Sequence, residues 1–160
     1  MGIYIFDMDV LKEALEDDSK LDSSSHDFGK DIIPKLIDTE SVYAYQFCGS
    51  KGRVDKDCYW RDVGTVDAYW SANIDLTMPT PALDMYDTNW PIWTYQLQRP
   101  PAKFILDDHA GRRGMAVNSM VAGGCIISGA TVRESLLFSD VRVDERSLVH
   151  ASVVLPSVRI

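Results

Sequence analysis

The sequence contains little cysteine, and its few cysteines favour neither a disulfide framework nor a zinc site. Three cysteines occur among 160 residues, at Cys48, Cys58 and Cys125. An odd number of widely spaced cysteines does not build a disulfide scaffold, which fits a reducing, cytoplasmic location. The three histidines are also scattered along the chain. Without a close cysteine pair, this spacing argues against zinc.

Basic residues and long apolar runs are scarce as well. The chain has 16 Lys and Arg against 24 Asp and Glu, for a net charge of −8. Such an acidic surface repels phosphate backbones, so nucleic acids are poor candidate partners. No apolar run approaches the roughly 20 residues of a membrane-spanning helix, so a membrane partner is not expected. Small anionic metabolites remain open as ligands, because a local site can oppose the overall charge.

The composition is that of a globular protein, with 46% hydrophobic and 25% charged residues. Residues 1–76 alternate apolar strand-like runs with helical patterns, which predicts an α/β domain. Strand composition marks three short segments, at residues 3–6, 41–47 and 59–60.

Helix signals lie between these segments. Asp9 is the predicted cap of a helix ending near Glu16, and Asp27 precedes a second helical pattern. Pro34 lies inside that second pattern, which indicates a first-turn position or a kink. Thr65 is the predicted cap of a third helix.

Residues 77–113 hold five of the seven prolines, a density that excludes a long helix or a central strand. The aromatic residues between positions 90 and 95 are too apolar for a free linker. We therefore expect a connector, extended and packed across a neighbouring domain.

Residues 114–160 carry a six-residue repeat. A large or β-branched residue recurs at each step, and a small or β-branched residue follows four positions later in the first five steps. This period does not fit a helix and is typical of a left-handed parallel β-helix, with the first residue facing inward and the second near a corner. The alternative is an ordinary sheet with coincidental spacing. The predicted inward residues are Cys125, Thr131, Leu137, Val143, Val149 and Leu155.

The first candidate site is the segment 59–65 (YWRDVGT). Asp62 would stand at a strand end, where open α/β sheets bind ligands. Gly64 permits a close approach, and a helix beginning after Thr65 offers amides to an anion. A carboxylate is a hard donor suited to Mg²⁺ held together with a nucleotide phosphate. A purely structural turn remains the alternative.

The second candidate is the segment 24–31 (SSHDFGKD), whose hydroxyl, imidazole and charged groups could hold a sugar or phosphate. A capped helix start, with Asp27 as the cap, is the competing interpretation. His26 lacks the partner spacing of a nucleophilic triad. The basic pair Arg112 and Arg113 could bind an anion, but fits a solvated turn better.

Several motifs, in order along the whole chain, resemble the ADP-glucose pyrophosphorylases (glucose-1-phosphate adenylyltransferases) of bacterial glycogen synthesis. The first part contributes residues 1–6 (MGIYIF), 26–34 (HDFGKDIIP), 59–65 (YWRDVGT), 68–70 (AYW) and 72–73 (AN). The connector contributes 84–87 (DMYD), 89–92 (NWPI) and 100–104 (PPAKF). The repeat contributes 119–129 (SMVAGGCIISG) and 153–156 (VVLP).

This resemblance implies the end of a glycosyltransferase-A-like nucleotidyltransferase domain in residues 1–76, a connector, and the first rungs of a left-handed β-helix in residues 114–160. It also implies an allosteric homotetramer that converts ATP and glucose 1-phosphate into ADP-glucose and diphosphate with Mg²⁺. Asp62 matches the second metal-binding, catalytic aspartate of the family and Trp60 its site tryptophan. Asp27 and Gly29 would lie near the sugar.

The resemblance also leaves parts of the family pattern unmatched. The glycine-rich nucleotide loop, the first metal aspartate and the sugar-phosphate lysine would all precede Met1. We therefore expect the chain to be a fragment that is inactive alone. Two alternatives stay open: a hexapeptide-repeat acyltransferase, whose only candidate catalytic histidine is His150, and a non-catalytic regulatory subunit.

Overall fold

The computed structural model describes residues 2–45, 59–89, 91–108 and 111–160. The chain divides into two compact units, Met1–Gln46 and Phe47–Ile160. Within the described ranges, no helix has both the length and the apolar character needed to cross a membrane. Helices and parallel sheets in one chain are consistent with the predicted α/β class.

The first unit is built from two helices and a π-helical turn. Helix α1 spans Met8–Ser19, the π-helical turn Phe28–Ile32, and α2 Ile33–Thr39. The predicted cap Asp9 is wrong by two positions. Asp7 accepts the Asp9 amide at 2.9 Å, so the helix starts two residues earlier than predicted and continues past Glu16 to Ser19.

Two other helix predictions in this unit are confirmed. Asp27 caps the π-helical turn, and Pro34 lies in the first turn of α2, where its missing N–H has no helical partner to lose.

The three strands predicted before the repeat do not form in the described residues. Ile5 is fully exposed, Tyr43 is 88% exposed, and Trp60 lies in an irregular segment. The end of the second predicted strand, residues 46–47, lies outside the described ranges. A strand needs a hydrogen-bonded neighbour, and the described residues supply none for these segments.

The second unit contains α3, Val66–Asp75, and a solenoid of parallel strands. The described strands are β1 Lys103–Ile105, β2 Met115–Val117, β3 Met120–Val121, β4 Ile126–Ser128, β5 Thr131–Arg133, β6 Leu136–Leu137, β7 Arg142–Val143, β8 Leu148–His150 and β9 Val153–Val154. They form three sheets in the orders β1-β4-β7, β2-β5-β8 and β3-β6-β9. The chain therefore returns to the same side every third strand, as a three-sided coil does.

The core of the solenoid lies inside this coil. Six of the strands from β4 to β9 each place one buried residue in this core. Successive core residues are five or six positions apart: Ile127, Val132, Leu137, Val143, Val149 and Val154. The predicted inward positions Cys125, Leu137, Val143 and Val149 are buried. The prediction is wrong for Thr131 and Leu155, where the neighbouring residues Val132 and Val154 are buried instead. Some sides of the coil have five residues instead of six. A one-residue slip turns a side chain to the other face.

The corners of the coil are turned by residues in the left-handed region. Their φ angles lie between 47° and 80°, at Asn118, Gly124, Gly129, Glu134, Asp140, Arg146, Ala151 and Ser157. Stacked corners bond to one another, as Arg146 N–H does to the Gly129 carbonyl at 3.0 Å. At the corner after Glu134, the hydroxyl of the buried Ser135 donates to the Arg133 carbonyl at 2.6 Å and accepts the Ser152 amide at 3.1 Å.

The described aromatic residues of the proline-rich segment 77–113 that lie between positions 91 and 95 are exposed. Trp93 is 91% and Tyr95 83% exposed, and Trp90 lies outside the described ranges. Arg99 and Pro100 contact the solenoid. Arg99 pairs with Asp140 at 2.7 Å, and the Pro100 carbonyl accepts the Gly124 amide at 2.7 Å.

Candidate functional site

Asp62 lies on an exposed turn that leads into α3. A methyl group on Gly64 would stand 3.5 Å from both carboxylate oxygens of Asp62, so the carboxylate lies directly over this glycine. Asp62 makes no hydrogen bond or ion pair with the described residues. Its side chain is exposed.

The turn is fastened to α3 at both ends of the helix. Thr65, the predicted cap, accepts the Ala68 amide through its hydroxyl at 3.2 Å. Arg61 reaches the far end of α3, where its guanidinium lies 3.8 Å from the Asp75 carboxylate. The same guanidinium lies over the Tyr59 ring, 5.2 Å from its centroid. Trp60, which lies between Tyr59 and Arg61 in the sequence, is half exposed.

Helix α3 in turn rests on the solenoid. The indole N–H of Trp70 donates to the backbone carbonyl of Ala151 at 2.9 Å. The sequence placed Trp70 in the helical segment but gave no sign of this contact, because its partner is 81 residues away.

Asp27 and Gly29 lie in the first unit and serve a helix start. One carboxylate oxygen of Asp27 accepts the amides of Gly29 and Lys30 at 2.8 and 2.9 Å. In the reciprocal direction, the Asp31 carboxylate accepts hydrogen bonds from the Asp27 amide and the Ser25 hydroxyl. The Ser25 hydroxyl, followed by the Asp27 amide, lowers the pKa of Asp31. Such reciprocal capping accounts for these carboxylates without a ligand.

The sequence missed the partner of His26. Asp18, which is only 3% exposed, accepts hydrogen bonds from His26 Nδ1 and the Ser24 hydroxyl, both at 2.8 Å, and contacts Lys35 Nζ at 3.3 Å. These bonds, His26 first, lower the pKa of Asp18.

A groove of about 280 Å³ lies beside this cluster between α1 and α2. Asp18 and Lys35 line it, whereas neither Asp27 nor Gly29 does.

The remaining candidates are bound into the fold. His150 points outward and lies 3.3 Å from the Glu134 carboxylate. Cys125 donates its thiol to the Phe138 carbonyl at 3.0 Å, and burial raises its pKa. Arg112 pairs with Asp108 and Glu145, as expected of a structural turn.

No group of three His, Cys, Asp or Glu side chains that could hold a metal occurs in the described ranges, while Cys48, Cys58 and His109 lie outside them. A single open carboxylate fits one ligand of a divalent cation whose other ligands come from a bound nucleotide and water.

Comparison with known proteins identifies the family of the chain. The sequence profile described as nucleotidyl transferase matches residues 1–98. The chain belongs to the nucleotidyl transferase family. A second profile, described as the GlmU-like C-terminal hexapeptide, matches residues 100–160 and covers the solenoid.

Curated members of the nucleotidyl transferase family confirm the resemblance to glucose-1-phosphate adenylyltransferases. Glucose-1-phosphate adenylyltransferase 2 of Vibrio parahaemolyticus is 60% identical over 93% of the chain. The Nitrosomonas europaea enzyme is 58% identical over 100% of it, and adenylyltransferase 2 of Vibrio cholerae is 51% identical over 100%. The chain spans 37 to 39% of the length of these relatives.

Proposed function

We propose that the chain is part of a glucose-1-phosphate adenylyltransferase of glycogen synthesis. The observation that carries this proposal is the identity of 51 to 60% with three such enzymes over nearly the whole chain. In the reaction, a phosphate oxygen of glucose 1-phosphate forms a bond to the α-phosphorus of ATP. The bond from that phosphorus to the diphosphate breaks, which yields ADP-glucose.

The exposed Asp62 carboxylate is the proposed ligand of Mg²⁺ in this reaction. When bound, the cation would neutralise charge on the phosphates. Asp62 contributes negative charge at a turn that is fixed by the Thr65 cap and the Arg61–Asp75 pair. Holding the carboxylate in place before the substrates arrive reduces the entropy lost on reaching the transition state.

Roles for three further residues are part of the proposal. The half-exposed Trp60 offers a flat apolar wall next to Asp62. Asp27 and Gly29 would approach the sugar, with one Asp27 oxygen still free of the helix start.

The proposed architecture joins two family folds. Residues 1–76 would complete a glycosyltransferase-A-like domain and residues 114–160 would open a left-handed β-helix, with 77–113 between them. Strand β1 is the part of that connector that enters the first rung. We propose a homotetramer as the assembled state.

A chimaera tests the function. The chain would replace the matching segment of the Vibrio parahaemolyticus relative, and ADP-glucose formation from ATP and glucose 1-phosphate would be measured with Mg²⁺. We expect an active chimaera, no product from the isolated chain, and a loss of about 10²- to 10³-fold for Asp62→Asn.

The matched control is Asp67→Asn, an exposed carboxylate in the first turn of α3, which should retain activity. A folded chimaera without product would overturn the proposed function. Full activity of Asp62→Asn would overturn the role of that carboxylate alone.

A further inference from the structure

A side chain of helix α3 connects the candidate site to the solenoid. Trp70 lies in the second turn of α3, and its indole N–H donates to the Ala151 carbonyl at 2.9 Å. This bond joins residues 81 positions apart in the sequence.

The acceptor lies at a well-fixed point of the coil. Ala151 is a corner residue with φ 47°, and its N–H donates to the Arg133 carbonyl of the preceding rung at 3.1 Å. Its neighbour Ser152 donates its amide to the buried Ser135 hydroxyl at 3.1 Å. Because both corner amides are bonded to the rung before, the carbonyl offered to Trp70 has little freedom to move.

The other end of this connection is the Asp62 turn. The Thr65 hydroxyl ties the turn to the first residues of α3, and the Arg61–Asp75 pair ties it to the last. Asp62 itself has no partner among the described residues. Within the described residues, Arg61 and Thr65 connect the turn to α3, and Trp70 connects α3 to the solenoid.

We infer that Trp70 is a positioning residue, which holds α3 and the Asp62 turn on the solenoid corner through the Ala151 carbonyl. The inference rests on the proposed role of Asp62 for its functional part. Its structural part stands independently, because it concerns the position of α3.

The test compares Trp70→Phe with Tyr69→Phe in the full chain. Phenylalanine keeps an aromatic ring at position 70 and removes the N–H donor. Tyr69 is the adjacent, similarly exposed aromatic residue, and its hydroxyl makes no hydrogen bond with the described residues. Amide hydrogen exchange is measured by NMR for α3, for the turn and for the solenoid core.

We expect Trp70→Phe to speed exchange about 2- to 10-fold in α3 and the turn, the range for loss of one hydrogen bond. Exchange at Val132 and Val149 in the solenoid core should not change. Unchanged exchange in α3, or an equal increase in Tyr69→Phe, would overturn the inference.

A second measurement reads the site itself. Mn²⁺ is added to the chain, and paramagnetic broadening is followed at the amides next to Asp62, with Asp62→Asn as the reference without the ligand. Trp70→Phe should need several-fold more Mn²⁺ for the same broadening, while Tyr69→Phe should match the parent chain. Equal Mn²⁺ dependence of Trp70→Phe and the parent would overturn the positioning role.

The two measurements distinguish failure of the proposed metal role of Asp62 from failure of the positioning role of Trp70. If the parent chain shows no broadening that depends on Asp62, the proposed metal role of Asp62 is overturned. The hydrogen exchange result then decides by itself whether Trp70 fixes α3.

Discussion

Among single residues, Asp18 combines burial with several polar partners. It is the one charged residue there with almost no exposed surface. Its pKa is lowered chiefly by the His26 hydrogen bond, then by Ser24, while burial opposes the shift. Lys35 adds a weaker hydrogen bond and a favourable charge.

This shift predicts how the stability of the first unit depends on pH. A folded pKa below the unfolded value, about 3.9 for aspartate, means that the carboxylate contributes its full stabilisation above that value. The contribution is lost as the pH falls through the folded pKa. We expect Asp18→Asn to lower the denaturation midpoint at pH 7 and to flatten its decline between about pH 5 and 2.

Urea unfolding followed by helical circular dichroism at several pH values measures this effect. Asp22→Asn is the matched control, since Asp22 is exposed in the loop that follows α1 and has no hydrogen bond or ion pair with the described residues. A pH profile of Asp18→Asn parallel to that of the parent chain would contradict the assignment.

The same residue shows what a sequence can predict about a site. The caps Asp27 and Thr65 were predictable, because a cap bonds to amides two or three residues away. The partners of Asp18 lie 6, 8 and 17 residues away, so only the folded chain brings them together. Asp62 was found as a turn carboxylate, but its open environment could not be read from spacing.

Strand formation likewise depends on long-range pairing as well as on local composition. The apolar segments at residues 3–6 and 59–60 have strand composition, yet hydrogen-bonded pairing decides whether a strand forms. In the described structure Tyr4 and Phe6 contact Phe28 instead, each with ring centroids 5.9 Å apart. The solenoid strands form because each rung supplies the neighbour of the next.

The corners provide a prediction about these elements. Gly129 and Arg146 stack at the same corner, with φ angles of 58° and 64°. Left-handed backbone costs a non-glycine residue about 1–2 kcal/mol, and glycine loses about 0.5–1 kcal/mol more entropy on folding. We expect Arg146→Gly to stabilise the chain by about 0.5–1 kcal/mol, measured by urea unfolding.

Gly129→Ala is the opposite substitution at the stacked position. Its new methyl group would stand 3.3 Å from Leu106 Cδ1 in an unfavourable φ region, so it should destabilise the chain. If both variants lowered the unfolding free energy, strain at Arg146 would not be the controlling effect.

At the scale of the whole solenoid, the six-residue repeat predicted a coil but not every inward residue. Thr131 pairs with Met115 and Leu148, which are 16 and 17 residues away instead of the 18 that three sides of six would give. Each shortened side shifts the inward position by one. Periodicity therefore identifies the coil, while the corner geometry decides which residue of each side enters the core.

That assignment predicts where the stability of the solenoid lies. Leu137 is 1% exposed inside the coil, whereas Leu148 is 68% exposed on an outer face. Leu137→Ala removes packing shared by all three sheets and should lower the unfolding free energy by about 2–5 kcal/mol. Leu148→Ala removes the same atoms from a solvated position and should change it by less than about 0.5 kcal/mol. Urea unfolding followed by β-sheet circular dichroism compares the two variants. Similar losses in both would mean that the coil interior does not supply the stability of the second unit, because a shared core must distinguish a filled position from an outer one.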